Sequence, residues 1–252
     1  MWALEDKVVI VTGGAKGIGR KYVEAFAQNG ARVAIGDIDR SAAEKLAADL
    51  NRAGGEALAE AVDIGNPADC RSFVQHVWDR WQRLDVLVNN AAIYSTIKRK
   101  PFTEITEKEW DRVMAVNLKG MFFCAQAVFP FMKQQQYGKI INISSSSIFK
   151  GSPFFVHYVT SKAGVVGMTR ALARESGAYG ITVNAVAPGL TLTEENIAET
   201  PPDRFKSAVD TRCLKRQQVP DDLVGILLFL ASSQSDFMTG QLINVDGGAS
   251  MY

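Results

Sequence analysis

Val8-Val9-Ile10-Val11-Thr12-Gly13-Gly14-Ala15-Lys16-Gly17-Ile18-Gly19 is the stretch that decides the architecture. Its first four residues are β-branched with no polar alternation, the mark of a strand buried on both faces, as in a parallel sheet. Glycines follow at once. Residues 20–29 then carry the apolar spacing of an amphipathic helix closed by Gly30. Strand, glycine loop and helix in that order make an anion cradle, because glycine lets the backbone approach closely and the first helical N–H groups face the ligand. The spacing is Gly13-x-x-x-Gly17-x-Gly19 and not G-x-G-x-x-G, so the context, more than the text, points to a pyrophosphate.

Residues 31–36 read as a second strand ending at Asp37, eighteen residues after Gly19. A carboxylate there accepts hydrogen bonds from ribose hydroxyls and repels a 2′-phosphate, which favours NAD (NADH) over NADP. Lys16 points the other way, since a cation in the loop could pair with that phosphate. Asp37 weighs more, because a carboxylate facing a phosphate is strongly unfavourable whereas an exposed lysine is simply solvated. The plainer alternative for Asp37 is a strand-end turn residue.

Downstream, strand and helix patterns keep alternating: helix over 41–53, strand over 56–62 ending at Asp63, helix over 67–82 with Pro67 at its start, and a buried strand from Asp85 into Asn89-Asn90-Ala91-Ala92. Residues 93–106 read as a surface loop. Residues 107–136 read as one long helix or two, with Asn117 in an apolar stretch where its amide must be satisfied. A fifth strand covers 139–144, a helix holding Tyr158 runs to about residue 178, and a sixth strand covers 181–187. Residues 190–219 are polar and irregular, with Pro201-Pro202 in the middle, and read as a substrate lid. A helix over 220–232 and a strand over 240–245 complete the pattern. It implies a parallel, right-handed wound α/β sheet, in one large domain or two small ones.

Composition narrows the function. Lys plus Arg number 28 against 27 for Asp plus Glu, which gives no electrostatic footprint for nucleic acid or an anionic membrane. The N-terminus lacks a basic region followed by a long apolar one, and no apolar run reaches membrane-spanning length, so a cytoplasmic protein is expected. Cys70, Cys124 and Cys213 have neither CxxC nor His-pair spacing and read as buried small apolar residues, with neither disulfide nor metal site expected.

Tyr158 and Lys162 stand four residues apart, on one face of a helix. A phenol with a pKa of roughly 10 is scarcely ionised at neutral pH, and an adjacent ammonium would lower that value. Such a pair alone is more often solvated than catalytic. Thirteen residues upstream of Tyr158, however, Ser145 follows the fifth strand, and the carboxyl ends of strands are where open α/β sheets place their chemistry. His157 points about 100° around the helix from Tyr158 and reads as packing or surface; His76 reads as solvated.

The glycine loop 12–19, Asn89-Asn90-Ala91, Asn117, Ser145, Tyr158 with Lys162, and Pro188-Gly189 stand here in an order and spacing that resemble the classical short-chain dehydrogenase/reductase family over nearly the whole chain. The resemblance implies that Tyr158 is the acid/base, Lys162 lowers its pKa and holds the nicotinamide ribose, Ser145 orients the substrate and Asn117 anchors a water in a proton relay. It implies one α/β domain over residues 1–252, a Rossmann-type, doubly wound, seven-stranded parallel sheet flanked by helices. It also implies a homotetramer, and cofactor contacts at Gly13, Lys16, Gly17, Ile18, Gly19, Asp37, Ile38, Asp63, Ile64, Asn90, Ala91, Pro188, Gly189, Thr191 and Thr193. Ala92 stands where the family often has glycine.

The reaction so implied is NAD-dependent interconversion of a secondary alcohol and a ketone. Tyr94, Phe149, Phe155 and Leu190, with Ser145 and Tyr158, are the expected substrate contacts, suggesting an apolar, aromatic or alicyclic small molecule. Two other readings stand beside it: reduction of a 3-oxoacyl thioester on acyl carrier protein or CoA, and a nucleotide-binding scaffold without chemistry.

Overall fold

Residues 4–251 are described by the computed structural model, all but Glu199 with their side chains. The first half of the chain forms β1 (Val8–Thr12), α1 (Gly17–Gln28), β2 (Arg32–Asp37), α2 (Arg40–Arg52), β3 (Glu56–Ala61), α3 (Pro67–Trp81), β4 (Val86–Asn89), α4 (Glu107–Met114), a π-helical turn (Ala115–Gly120) and α5 (Met121–Gln135). Then come β5 (Gly138–Ile143), α6 (Ser147–Lys150), α7 (Val156–Ser176), β6 (Ile181–Pro188), α8 (Glu194–Glu199), α9 (Pro202–Asp210), α10 (Asp221–Ala231) and β7 (Leu242–Val245).

The strands lie in the order β3-β2-β1-β4-β5-β6-β7, and every neighbouring pair is parallel. The β-branched runs take these places because both faces are covered: β1, β4, β5 and β6 are buried along their whole length. Val9, Val11, Val33 and Ile35 face a core shared with Phe26 of α1, Leu46 of α2 and Leu227 of α10. Val8, Ile10 and Leu87 face the other core, with Phe73 of α3 and Val128 of α5. The order reverses between β1 and β4, which opens a crevice at the carboxyl edge of the sheet.

Four sequence expectations are corrected. The segment 190–219 is not irregular: it carries α8, capped by the Thr193 hydroxyl accepting from the Asn196 N–H, and α9, which begins at Pro202. A proline at the first helical position costs nothing, so the pair in the middle of this segment marks a helix start. Helix α1 begins at Gly17 rather than Arg20, with the glycines inside its first turn. Cys213 is exposed, unlike Cys70 and Cys124, whose buried free thiols lie 3.7 Å apart. The continuous helix Glu107–Gln135 does have the length and, over its most apolar window, the mean hydropathy (1.3) of a membrane span, although here it packs one side on α3 and the sheet.

Candidate active site

A cleft of about 1000 Å³ runs along the carboxyl edge of the sheet. At one end the glycine loop is shaped by close approach. Gly13 has a φ of +61°, and a Cβ on it would stand 2.7 Å from the Ala91 Cα; one on Gly19 would stand 2.0 Å from the Gly13 carbonyl oxygen. Asn90 locks the loop from β4, its Nδ2 donating to the Thr12 and Gly13 carbonyls at 3.0 and 2.9 Å. No side chain caps α1 at Lys16, so its first amides are left to a ligand. Asp37 accepts from the Ala15 and Asp39 N–H groups, both at 2.9 Å. Lys16 pairs with Asp39 at 2.5 Å, and the same contact raises its pKa and lowers that of Asp39.

The other end is built from β5 and α7. Ser144 through Ser147 all border the cleft, but they differ in role. Ser144 is buried and its hydroxyl donates to the Lys162 carbonyl at 2.8 Å, while Ser147 opens α6. Ser145 is the one hydrogen-bonded to the Tyr158 phenol. It is also the serine that the thirteen-residue interval to Tyr158 singles out. Tyr158 is buried, its ring stacked on Phe155 (4.5 Å between centroids, 22°) and met edge-on by Tyr94 at 5.2 Å. Lys162 is buried beside it, with Nζ 5.9 Å from the Tyr158 ring centroid and donating to the Ile143 carbonyl at 2.8 Å.

The electrostatics differ from the sequence expectation. Burial holds the Tyr158 pKa well above that of a free phenol, and Tyr94 adds to this; the opposing influences are the Ser145 hydrogen bond and the charge of Arg99, not Lys162. Burial lowers the Lys162 ammonium from 10.5 to about 7. In this state the ammonium is held by a carbonyl and is not directed at the phenol.

The profile of a family described as Enoyl-(Acyl carrier protein) reductase matches residues 13–250. The chain belongs to the classical short-chain dehydrogenase/reductase family. It is 39% identical to the (2S)-[(R)-hydroxy(phenyl)methyl]succinyl-CoA dehydrogenase subunit BbsD of Thauera aromatica, over 99% of this chain and 98% of that one. It is 38% identical to the 3-oxoacyl-[acyl-carrier-protein] reductase FabG of Thermotoga maritima, over 97% of this chain and 98% of that one. A solved structure of a putative NAD(P) dependent gluconate 5-dehydrogenase from Beutenbergia cavernae, with bound NADP, superposes with a TM-score of 0.91 at 32% identity, covering 98% of each chain.

A short-chain dehydrogenase/reductase is an oxidoreductase working with a nicotinamide cofactor, and the cleft fits one. The uncapped amides of α1 suit a pyrophosphate, once the Glu195 carboxylate, which a Cβ on Gly17 would meet at 3.0 Å, has turned aside. Every cofactor residue named from the sequence borders the cleft, including Ile18, Ile38, Asp63, Ile64, Pro188, Gly189, Thr191 and Thr193. Tyr94, Phe155 and Leu190 border it as well. Two residues do not. Phe149 is absent from the walls because the α6 turn presents Ser147 and Lys150 to the cleft instead. Asn117 lies behind the cleft, fully buried at the centre of the π-helical turn, accepting from the Ile93 N–H at 2.7 Å and donating to the Ile93 carbonyl at 3.0 Å.

The sequence reading missed Asp39, Arg99, Glu195, Asn196 and Arg204, which also border the cleft. Asp39 had a signal, as an acid two residues after Asp37 and directly ahead of a helix. Arg99 had none, lying in a loop without periodicity.

Proposed function

We propose that the protein interconverts a secondary alcohol and a ketone using NAD(H), as a cytoplasmic homotetramer acting on a small molecule with an apolar or aromatic part. The convergence of Ser145, Tyr158 and Lys162 on one wall of the cleft carries this reading. When bound, the nicotinamide supplies or accepts the hydride. Ser145 hydrogen-bonds the substrate oxygen and fixes the carbinol carbon. Tyr158 takes the hydroxyl proton in oxidation and returns it in reduction. Lys162 holds positive charge beside the phenol and reaches the ribose. Asn117, outside the cleft, orients the Ile93–Tyr94 backbone through its two hydrogen bonds to Ile93.

Tyr158→Phe is expected to leave NADH affinity nearly intact and to cut turnover by roughly 10²–10⁴-fold. Undiminished turnover would remove the phenol from the chemistry.

For the cofactor, Asp37 and Asp39 both flank the adenosine end, and Lys16 is already neutralised by Asp39. That supports NAD. A fluorescence titration with NADH and NADPH is expected to show clearly tighter binding of NADH; the reverse order would overturn the assignment.

The aromatic wall of Tyr94 and Phe155 suits a ring-bearing substrate, and one relative is named for a phenyl-substituted secondary alcohol. The matching family description and the Thermotoga maritima relative favour a second reading, a 3-oxoacyl-thioester reductase. Turnover of 3-oxoacyl thioesters far above that of simple ketones would select it.

A further inference from the structure

We propose that Arg99, with Arg204 beside it, makes the substrate end of the cleft selective for an alcohol or ketone that carries a carboxylate. The proposal rests on the dehydrogenase reading above and specifies its substrate class.

Arg99 is half-buried at the cleft wall, its guanidinium carbon 4.0 Å from the centroid of Phe155. Phe155 in turn stacks on Tyr158, so the cation lies within two aromatic layers of the acid/base. The guanidinium is held by neutral groups only: Nη1 donates to the Pro153 carbonyl at 3.1 Å, and a further hydrogen bond joins the side chain to Tyr94. Among the described residues no carboxylate pairs with it.

A second cation, Arg204 of α9, borders the same cleft and makes no ion pair with a described carboxylate. The two repel: with burial, the Arg204 charge disfavours the ionised form of Arg99. The chain as a whole is nearly neutral, 28 basic against 27 acidic residues, so these cations do not simply reflect a basic surface. Arg112 borders the cleft as well, and guanidinium groups facing one cavity without an ion-pair partner are an unfavourable arrangement that a bound anion relieves. A guanidinium fixed by stacking presents its remaining N–H groups as a planar fork, which matches a carboxylate bidentately. With the substrate oxygen at Ser145 and Tyr158, the carboxylate reaches Arg99 past the edge of the Phe155 ring, which separates the guanidinium from the phenol.

The shared chemistry is an oxyanion, and a phosphate on a CoA tail is its other source. The test uses matched sets: 2- and 3-hydroxy acids, their methyl esters, and CoA thioesters, each oxidised with NAD by the wild-type protein, Arg99→Met and Arg99→Lys. Binding of benzoate and of benzamide to the NADH-loaded protein is measured in parallel. The wild type is expected to favour acids over esters in kcat/KM by tenfold or more and to bind benzoate but not benzamide. Arg99→Met is expected to lose both preferences mainly through KM, with NADH affinity unchanged as the sign of an intact fold, and Arg99→Lys to recover part of them.

Equal use of acids and esters overturns the proposal while leaving the dehydrogenase reading standing. So does equal binding of benzoate and benzamide, or an Arg99→Met defect confined to CoA thioesters. Failure of the dehydrogenase reading itself shows separately, as no NAD reduction by the wild type with any acid, ester or thioester of the set.

Discussion

Lys162 shows how burial alone sets a residue's behaviour. An ammonium lowered from 10.5 to about 7 is a base for much of the range in which the unfolded chain keeps it protonated. Between those two values the unfolded state binds more protons than the folded one, so this group makes stability rise with pH, and its penalty is fully present below about pH 7. At roughly 1.4 kcal/mol per pK unit the limiting penalty is on the order of 5 kcal/mol. Melting curves of the wild type and Lys162→Met from pH 6.5 to 9.5 are therefore expected to show the wild type gaining stability relative to the variant as pH rises; parallel curves would mean that the lysine stays charged throughout. A bound dinucleotide, with its negative charge, is expected to flatten the slope. The sequence showed that these two side chains share a helix face. It did not show that Nζ is taken up by the Ile143 carbonyl, because that contact joins residues on different elements. The same holds for Arg99, which only the packing of two loops brings to the cleft.

At the scale of elements, the long helix and the segment 190–219 differ in how much the sequence disclosed. The apolar run around Asn117 was readable as helix, but the π-helical turn was not, since it arises where the asparagine amide binds the Ile93 backbone. Such turns recur at functional sites because they redirect a side chain without breaking the helix. Asn117→Ala leaves the Ile93 N–H and carbonyl without these partners, and is expected to cost about 2 kcal/mol of stability and to loosen the loop that carries Tyr94 and Arg99. Chemical denaturation measures the first, and a raised KM the second. Glu195 of α8 holds its carboxylate over Gly17, beside the first amides of α1. Two anions at one helix terminus repel, so the carboxylate must turn aside when a pyrophosphate binds there. Glu195→Gln is expected to lower the Kd for NADH several-fold in a fluorescence titration; an unchanged or weaker affinity would show that the carboxylate leaves without cost.

At the scale of the whole molecule, the parallel sheet explains why a sequence reading reached the site at all. When every strand runs the same way, the residues after each strand meet at one edge, so Gly13, Asp37, Asn90, Ser145 and Pro188 are neighbours by topology before any side chain is considered. The outside of the molecule obeys no such rule. The helix Glu107–Gln135 is apolar enough to pass for a membrane span, yet only 44% of its most apolar window is buried within the chain. Phe122 remains exposed on α5, as do Phe237 and Met251 near the C-terminus. A helix side of this kind, on a chain whose other side builds a sheet core, is better covered by another copy than by water. Light scattering is expected to return four times the 27.5 kDa chain mass, and Phe122→Glu to return a smaller species with the fold retained by circular dichroism. A wild type that stays at single-chain mass at micromolar concentration would leave this apolar side without a second copy to cover it.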